Sequence, residues 1–375
     1  MNSTPLPYSA DTRLAHIAQT RERVLRARQP APSGWLDPMI ESSWQRCLAL
    51  GHEPQHAVSF QPVSASALRH ALDASHQLLQ AAAPVIHTLA RAMLHTRYFA
   101  ILTDAHGTAL HIHGAVDRSD PLTAAIARVG IDLSEAAVGT TAIGTTLAEQ
   151  DAVWLHRGEH FFQHTSVFSC AGAPIVGPTG DCVGMLDLTG VNVAEQPALK
   201  HLVSQSARSI ENALTLAQPH HLLLRLNWPG RVLGDDSDGL ACLDADGFIT
   251  GMNRPAAQML SAHLSGGVTH ADSVFAMPYA ELFDAAGAQR GALEVPLWSG
   301  LRLLMLAQRH RDLPRHHEQA TQRTAPASHT VPLREHETWM IRKAVEDARG
   351  NVIEAARALG ISRATVYRKL QTKKH

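Results

Sequence analysis

Three observations predict a multidomain α+β protein. Residues 98–114 and 171–190 each read as an apolar run, a Gly-containing turn and a second apolar run, and the later pair leads into an amphipathic helical stripe. A similar strand–turn–strand–helix phrase starts at Asp238. From Leu333 onward the periodicity is purely helical, in three short phrases separated by Gly.

Taken in order, residues 1–80 read as a helical region. Within it "IESSWQRCLALGHEP", Ile40 to Pro54, sets Trp44 and Leu48 on one helix face and stops at a Gly and a Pro. A long helix from Ser66 to about His95 is expected to be interrupted at Pro84. The unit 81–218 then takes shape from "YFAILTD" as a strand, "DAHG" as a turn and "TALHIHG" as a returning strand. "APIV", "GPTGD" and "CVGMLDLTG" repeat the pattern. Leu199, Leu202, Val203, Ala207, Ile210 and Leu214 form the helical stripe that follows. Residues 232–307 supply "DGLACLDADGFITGMNRPAAQML", with a helix starting near Asn253, and close with "ALEVPLW" and "LRLLMLA". Residues 308–332 are polar and contain Pro, so they read as a linker, and His316 and His317 within it read as solvated side chains rather than metal ligands.

Beyond the linker, Met340, Ile341, Ala344, Val345 and Ala348 make one apolar stripe up to Gly350. Asn351 caps the next helix, with Glu354 placed for a capping box and Gly360 as its stop. Ser362 caps the last helix, which turns Val366 and Leu370 inward. Two short helices joined by a tight Gly-containing turn are the signature of a helix-turn-helix. Although the whole chain has a net charge of −1, Arg363, Arg368, Lys369, Lys373 and Lys374 follow one another with no acidic residue among them. A solvated basic helix end would account for Lys373 and Lys374 but not for the doubly capped turn ahead of them.

Composition excludes several classes. Hydrophobic residues make up 45%, as in a globular protein, and the four cysteines (Cys47, Cys170, Cys182, Cys242) form no CxxC pair. The 24 histidines are scattered. "MNSTPLPYSADTR" lacks the build of a signal peptide, and no apolar run approaches a membrane span of about 18 residues, so a cytoplasmic protein with no membrane partner is expected. No G-x-x-x-x-G-K-[ST] phosphate loop occurs in the sequence.

From about Leu333 the chain resembles the Fis-type helix-turn-helix of bacterial enhancer-binding regulators. The resemblance implies a first helix that helps to form a homodimer and a last helix that enters the major groove of operator DNA. Its DNA-facing candidates are Ser362, Arg363, Ala364, Thr365, Tyr367, Arg368, Lys369 and Lys373. RNA polymerase or another regulator is the further protein partner it implies.

"GTTAIGT" (Gly139–Thr145), "GEHF" (Gly158–Phe161) and "SCAGAPI" (Ser169–Ile175) resemble the GAF domain of regulators of the acetoin-catabolism type, as does the phrase Ile40–Pro54. Thr141 stands where that family usually has Asn, and Gly172 where it has Ala. Residues 232–307 resemble a short PAS-like domain. A GAF fold implies a cup over one sheet face that takes a small organic effector, with Phe99, His160, Phe161, Phe162, Cys170 and Asp187 as ligand-binding candidates; each also suits a plain core position. No cofactor is implied. Cys170 beside Ser169 leaves open a GAF-type enzyme or redox sensor, although no second cysteine or base lies near it in sequence. Regulators of this type usually carry an AAA+ ATPase where this chain has only the 308–332 linker. The expected protein is therefore a ligand-responsive, DNA-binding transcriptional regulator that is not an enzyme and does not hydrolyse ATP.

Overall fold

The computed structural model describes residues 10–262, 269–287 and 291–309, with Val352 alone beyond them. The chain divides into two units, Met1–Arg311 and Asp312–His375. The expected helix-turn-helix, its DNA-facing candidates from Ser362 to Lys373, and His316 and His317 of the linker lie outside the described residues. Gln308 and Arg309, read from the sequence as the start of the linker, are the end of a strand.

The chain enters through α1 (Ala10–Arg21), which runs on into one π-helical turn, Glu22–Arg26. Helix α2 (Pro38–Ala49) starts on Asp37, whose carboxylate accepts the Met39 amide at 2.9 Å, with Pro38 preset for the first turn. Helices α3 (Ala65–Ala74) and α4 (His76–Ala92) correct one expectation: the break falls at Ser75, and Pro84 lies inside α4. The stripe Leu78, Ala82, Ile86 and Leu89 is buried on both sides of Pro84, so packing keeps the helix continuous despite the lost amide.

Strands β1 (Tyr98–Asp104) and β2 (Ala109–Gly114) form the expected hairpin. Asp104 accepts the His106 and Thr108 amides at 2.9 and 2.8 Å, which sets the turn. Three short helices follow, α5 (Pro121–Ile126), α6 (Glu135–Val138) and α7 (Ala142–Glu149), and then strands β3 (Val153–His156), β4 (Phe168–Val176) and β5 (Cys182–Val191). The sheet is antiparallel in the order β2-β1-β5-β4-β3. Tyr98, Ala100, Leu102, Ala171, Leu186 and Leu188 form one face, packed with α4 and with α8 (Ala198–Leu216) in a single core. The opposite face belongs to a second core to which the π-helical turn after α1, helix α2 and helix α7 contribute, so the N-terminal helices are part of this body.

A second antiparallel sheet follows, built from β6 (Leu222–Asn227), β7 (Gly239–Leu243), β8 (Phe248–Met252), β9 (Thr269–His270), β10 (Leu293–Pro296) and β11 (Arg302–Arg309). Helices α9 (Arg254–Leu260) and α10 (Tyr279–Gly287) contribute to its core. The order β10-β11-β6-β7-β8-β9 puts β6 between β11 and β7. The span 232–307 read from the sequence thus leaves out a central strand, whose leucine run falls between the helix end near Gln218 and the start of that span. Helix α8 serves both sheets. Buried Glu211 accepts the Val176 amide at 2.8 Å and faces Arg254 at 3.3 Å, and Asn253 donates to Asn212 at 2.8 Å. Among the described residues no helix is long and apolar enough to cross a membrane.

Candidate functional site

The inner face of the first sheet is built by alternation along β5. Met185, Asp187, Thr189 and Val191 share one side of the strand, and register sets Asp187 beside Gly172 of β4 and Ile101 of β1, and Thr189 beside Cys170 and Phe99. Phe99, Phe161, Phe162 and Cys170 all lie in one buried core, with Phe161 and Phe162 edge to face at 5.1 Å. The six ligand-binding candidates are therefore all buried: the first four in this core, Asp187 on the same sheet face, and His160 with its ring 6.1 Å from that of Phe168. Cavity space lies at the end of this strip, about 510 Å³ lined by Phe99, Val191, Thr123, Val116 and Leu94 among others.

The polar groups of this face are unusually situated. The Asp187 side chain is fully buried; one carboxyl oxygen accepts from the Thr189 hydroxyl, and Oδ1 has no partner. Burial raises its carboxyl to about 7, opposed by that hydrogen bond. The Cys170 sulfur lies 3.3 Å from the Thr189 hydroxyl, and burial and then the Asp187 charge hold the thiol well above its ordinary range. Such a sulfur is a protonated thiol, not the thiolate in an electropositive setting that nucleophilic or redox chemistry needs. His160 pairs Nδ1 with the Arg157 carbonyl at 2.9 Å, leaving Nε2 without a partner, and burial lowers its pKa to about 4, so the ring is neutral. The buried hydroxyls of Thr145 and Thr146 on α7 are also unpartnered. Sequence reasoning missed both of them and Thr189; the period-two spacing from Asp187 could have found Thr189. Among the described residues no group of three or more His, Cys, Asp or Glu could hold a metal ion.

Residues 157–162 are fastened to the N-terminal helices through their backbone carbonyls. Arg21 donates to the carbonyls of Gly158 at 2.7 Å, Phe161 at 2.9 Å and His160, and Trp44 Nε1 donates to that of Glu159 at 2.8 Å. The Glu159 carboxylate accepts Arg13 at 2.7 Å and the His156 amide at 2.6 Å, yet its burial outweighs both and raises it to about 7. Gly158 is required for close approach: a Cβ there would lie 2.9 Å from Ile17 and 3.1 Å from Arg21. Helix α2 also braces α6 and α7. Arg46 grips Glu135 with two hydrogen bonds, at 2.7 and 2.9 Å, and reaches Glu149 at 2.5 Å, while Ser43 donates to Thr140 at 2.8 Å.

The two departures from the GAF pattern have separate physical readings. Thr141 caps α7 by accepting the Gly144 amide at 3.2 Å, a task that Asn performs equally well. Gly172 lets α7 and Met185 pack closely on the inner face, since a Cβ there would fall 2.6 Å from Met185 Cε and 2.8 Å from the Thr146 hydroxyl.

Asp187 carries a pH signature. Its native pKa lies above its ordinary 3.8, so the stability it contributes is present below about pH 4 and is lost as pH rises to about 7. Asp187→Asn should therefore gain on the wild type across that window, by an amount on the order of 3 kcal/mol, and level off above it. Denaturant midpoints of both proteins at pH 4.5 and pH 8 check this; an equal difference at the two pH values contradicts it.

Comparison with known proteins places this geometry in a family. The model described as MimR, N-terminal domain, matches residues 15–212, just over half the chain, and the model described as bacterial regulatory protein, Fis family, matches residues 332–372. The acetoin catabolism regulatory protein of Cupriavidus necator is 28% identical over 255 residues, 66% of this chain and 38% of that protein. The propane 2-monooxygenase operon transcriptional activator MimR of Mycolicibacterium goodii is 28% identical over 231 residues, 59% of this chain and 38% of its own length. The chain thus spans about two fifths of the length of these relatives. A solved complex, DhaR(N)–DhaL of E. coli, aligns with a TM-score of 0.45 and 15% identity over 72% of this chain and 99% of that one. The chain belongs to the MimR N-terminal domain family and carries a Fis-family helix-turn-helix domain at residues 332–372.

Proposed function

We propose that this protein is a DNA-binding transcriptional regulator that senses a small organic molecule through a GAF-type domain and binds operator DNA through its helix-turn-helix. In this reading residues 81–218, completed by helices from 1–80, form the sensor. The second sheet, read as PAS-like over 232–307, is a coupler, and 308–332 link it to the DNA-binding residues 333–375. The observation that carries the proposal is the match of one chain to both a MimR N-terminal domain and a Fis-family domain. The inner face of the first sheet, with its buried unpartnered carboxyl and hydroxyl oxygens, supports the sensor half. The buried Cys170 thiol argues against a GAF-type enzyme or redox sensor. The sequence offers no phosphate loop for ATP hydrolysis.

Operator recognition is tested by footprinting across DNA from the protein's own locus. A homodimer should protect an inverted repeat whose half-sites lie about one helical turn apart or slightly less. Arg363→Ala and Arg368→Ala should each weaken binding by about 1–3 kcal/mol. Loss of a phosphate contact lowers the salt slope by about one unit at every sequence, whereas loss of a base contact relaxes one position. Unbroken, sequence-independent protection, unchanged by either substitution, would overturn operator recognition by this helix, and no protection at all would overturn the DNA-binding assignment.

A further inference from the structure

We infer that the seam between the two sheets holds a ligand site of its own, in which the guanidinium of Arg254 binds the carboxylate of a small organic acid with an apolar body. This goes beyond the regulator reading above and does not depend on the inner face of the first sheet. The seam is a close contact. The Met252 amide at the end of β8 donates to the Pro178 carbonyl in the β4–β5 turn at 2.9 Å. Gly251 makes room for that turn, since a Cβ there would lie 3.0 Å from Pro178 Cβ. Beside this contact the seam opens into a cavity of about 510 Å³. Val176 and Thr179 line it from the first sheet and its turn, and Met252, Arg254, Ala257 and Gln258 line it from the second. Ligand sites favour such places, where two packed bodies meet around a concave, partly apolar space.

Charge selects the ligand. Among the described residues that line the cavity, Arg254 is the only charged one. Its side chain is 36% exposed and makes one hydrogen bond among the described residues, from Nη2 to Glu211 at 3.3 Å, so most of its donors are left for a guest. Glu211 is buried, also accepts the Val176 amide at 2.8 Å and does not line the cavity, so it orients the guanidinium without filling the space. A guanidinium presents paired N–H groups that match the two oxygens of a carboxylate. An ammonium guest would meet a fixed positive charge with no acid in the lining to offset it. A phosphate would bring roughly two charges to a single cation. Val176, Met252, Ala257 and Ala262 instead suit an alkyl or aryl body. Because the walls come from both sheets and Arg254 also pairs with α8, a bound acid ties the two sheets together at their joint.

The probes are hexanoate, hexanamide and hexylammonium, each titrated at millimolar concentration against the full chain while the heat of binding and the melting temperature are followed. Hexanoate should bind saturably and raise the melting temperature, because a ligand that binds only the folded state stabilises it by mass action. Hexanamide and hexylammonium should bind at least about tenfold more weakly. Arg254→Gln alone would leave Glu211 buried without its counter-charge, so the double variant Arg254→Gln/Glu211→Gln removes the pair together and should keep the fold. A glutamine at position 211 still accepts the Val176 amide. The double variant should lose at least about tenfold in hexanoate affinity. Ala257→Leu fills cavity space without touching the pair, and should weaken hexanoate by a similar factor while melting as the wild type does without ligand. Hexanoate affinity unchanged in either variant would place binding elsewhere and overturn the site. Equal affinity for hexanamide, or tighter binding of hexylammonium, would overturn the carboxylate assignment. No hexanoate response in the wild type would overturn the inference altogether. Operator footprinting, which does not involve these probes, tests the regulator reading separately.

Discussion

Trp44→Ala should lower the unfolding free energy by about 3–5 kcal/mol. The side chain is fully buried in the core shared by α2, α7 and the first sheet, so truncation leaves a large cavity among well-packed neighbours. It also removes the Nε1 donor to the Glu159 carbonyl and the face on which the Arg21 guanidinium rests, 5.8 Å from the ring. Arg21 is itself partly desolvated, its pKa lowered to about 10 by burial, and it holds three carbonyls of the same loop. Loss of Trp44 should therefore loosen residues 157–162, which carry His160 and Phe161. Trp44→Phe keeps most of the volume and loses the hydrogen bond, so its cost should be smaller, about 1–3 kcal/mol. Urea unfolding followed by far-ultraviolet circular dichroism measures both. A loss below about 1 kcal/mol for the alanine variant would mean that the N-terminal helices are not part of the core of the first sheet.

Much of this architecture could be read from the sequence, and the misreadings have physical causes. The hairpin at 98–114, the strand 182–191 and the helix 198–216 follow from local turn chemistry and periodicity. The phrase "GEHF" was visible as a motif, but the reason for its residues was not, because the groups it serves are more than a hundred positions away. Gly158 makes room for α1, and Glu159 answers Arg13 of the same helix. Pro84 looked like a break because local rules count its missing amide and not the buried stripe that spans it. Strand β6 was lost because it stands between the helix end near Gln218 and the phrase starting at Asp238, and one of the two strands that pair with it, β11, lies some eighty positions away. Asp187 was found through its motif, whereas Thr145 and Thr146 look like ordinary helix residues until their hydroxyls are seen to lack partners.

The second large effect concerns the DNA-binding residues. A chain ending at Pro332 retains all of the described structure apart from Val352, including both sheets and the α8 joint, so it should fold with the melting behaviour of that unit. It lacks all but the first residue of the Fis-family match and every one of the basic residues Arg363, Arg368, Lys369, Lys373 and Lys374. Phosphate contacts supply essentially all non-specific affinity and much of the specific affinity, so removing these cations together should abolish binding rather than weaken it.

The measurement that bears most directly on the regulator assignment is a fluorescence-anisotropy titration of labelled operator DNA with the full chain and with the chain ending at Pro332, at two salt concentrations. The full chain should bind saturably, with affinity falling steeply as salt rises, and the truncated chain should leave the anisotropy at its free-DNA value. Binding of the truncated chain with the affinity and salt dependence of the full chain would contradict the account, because recognition would then reside in the sheet-bearing unit and not in the helix-turn-helix.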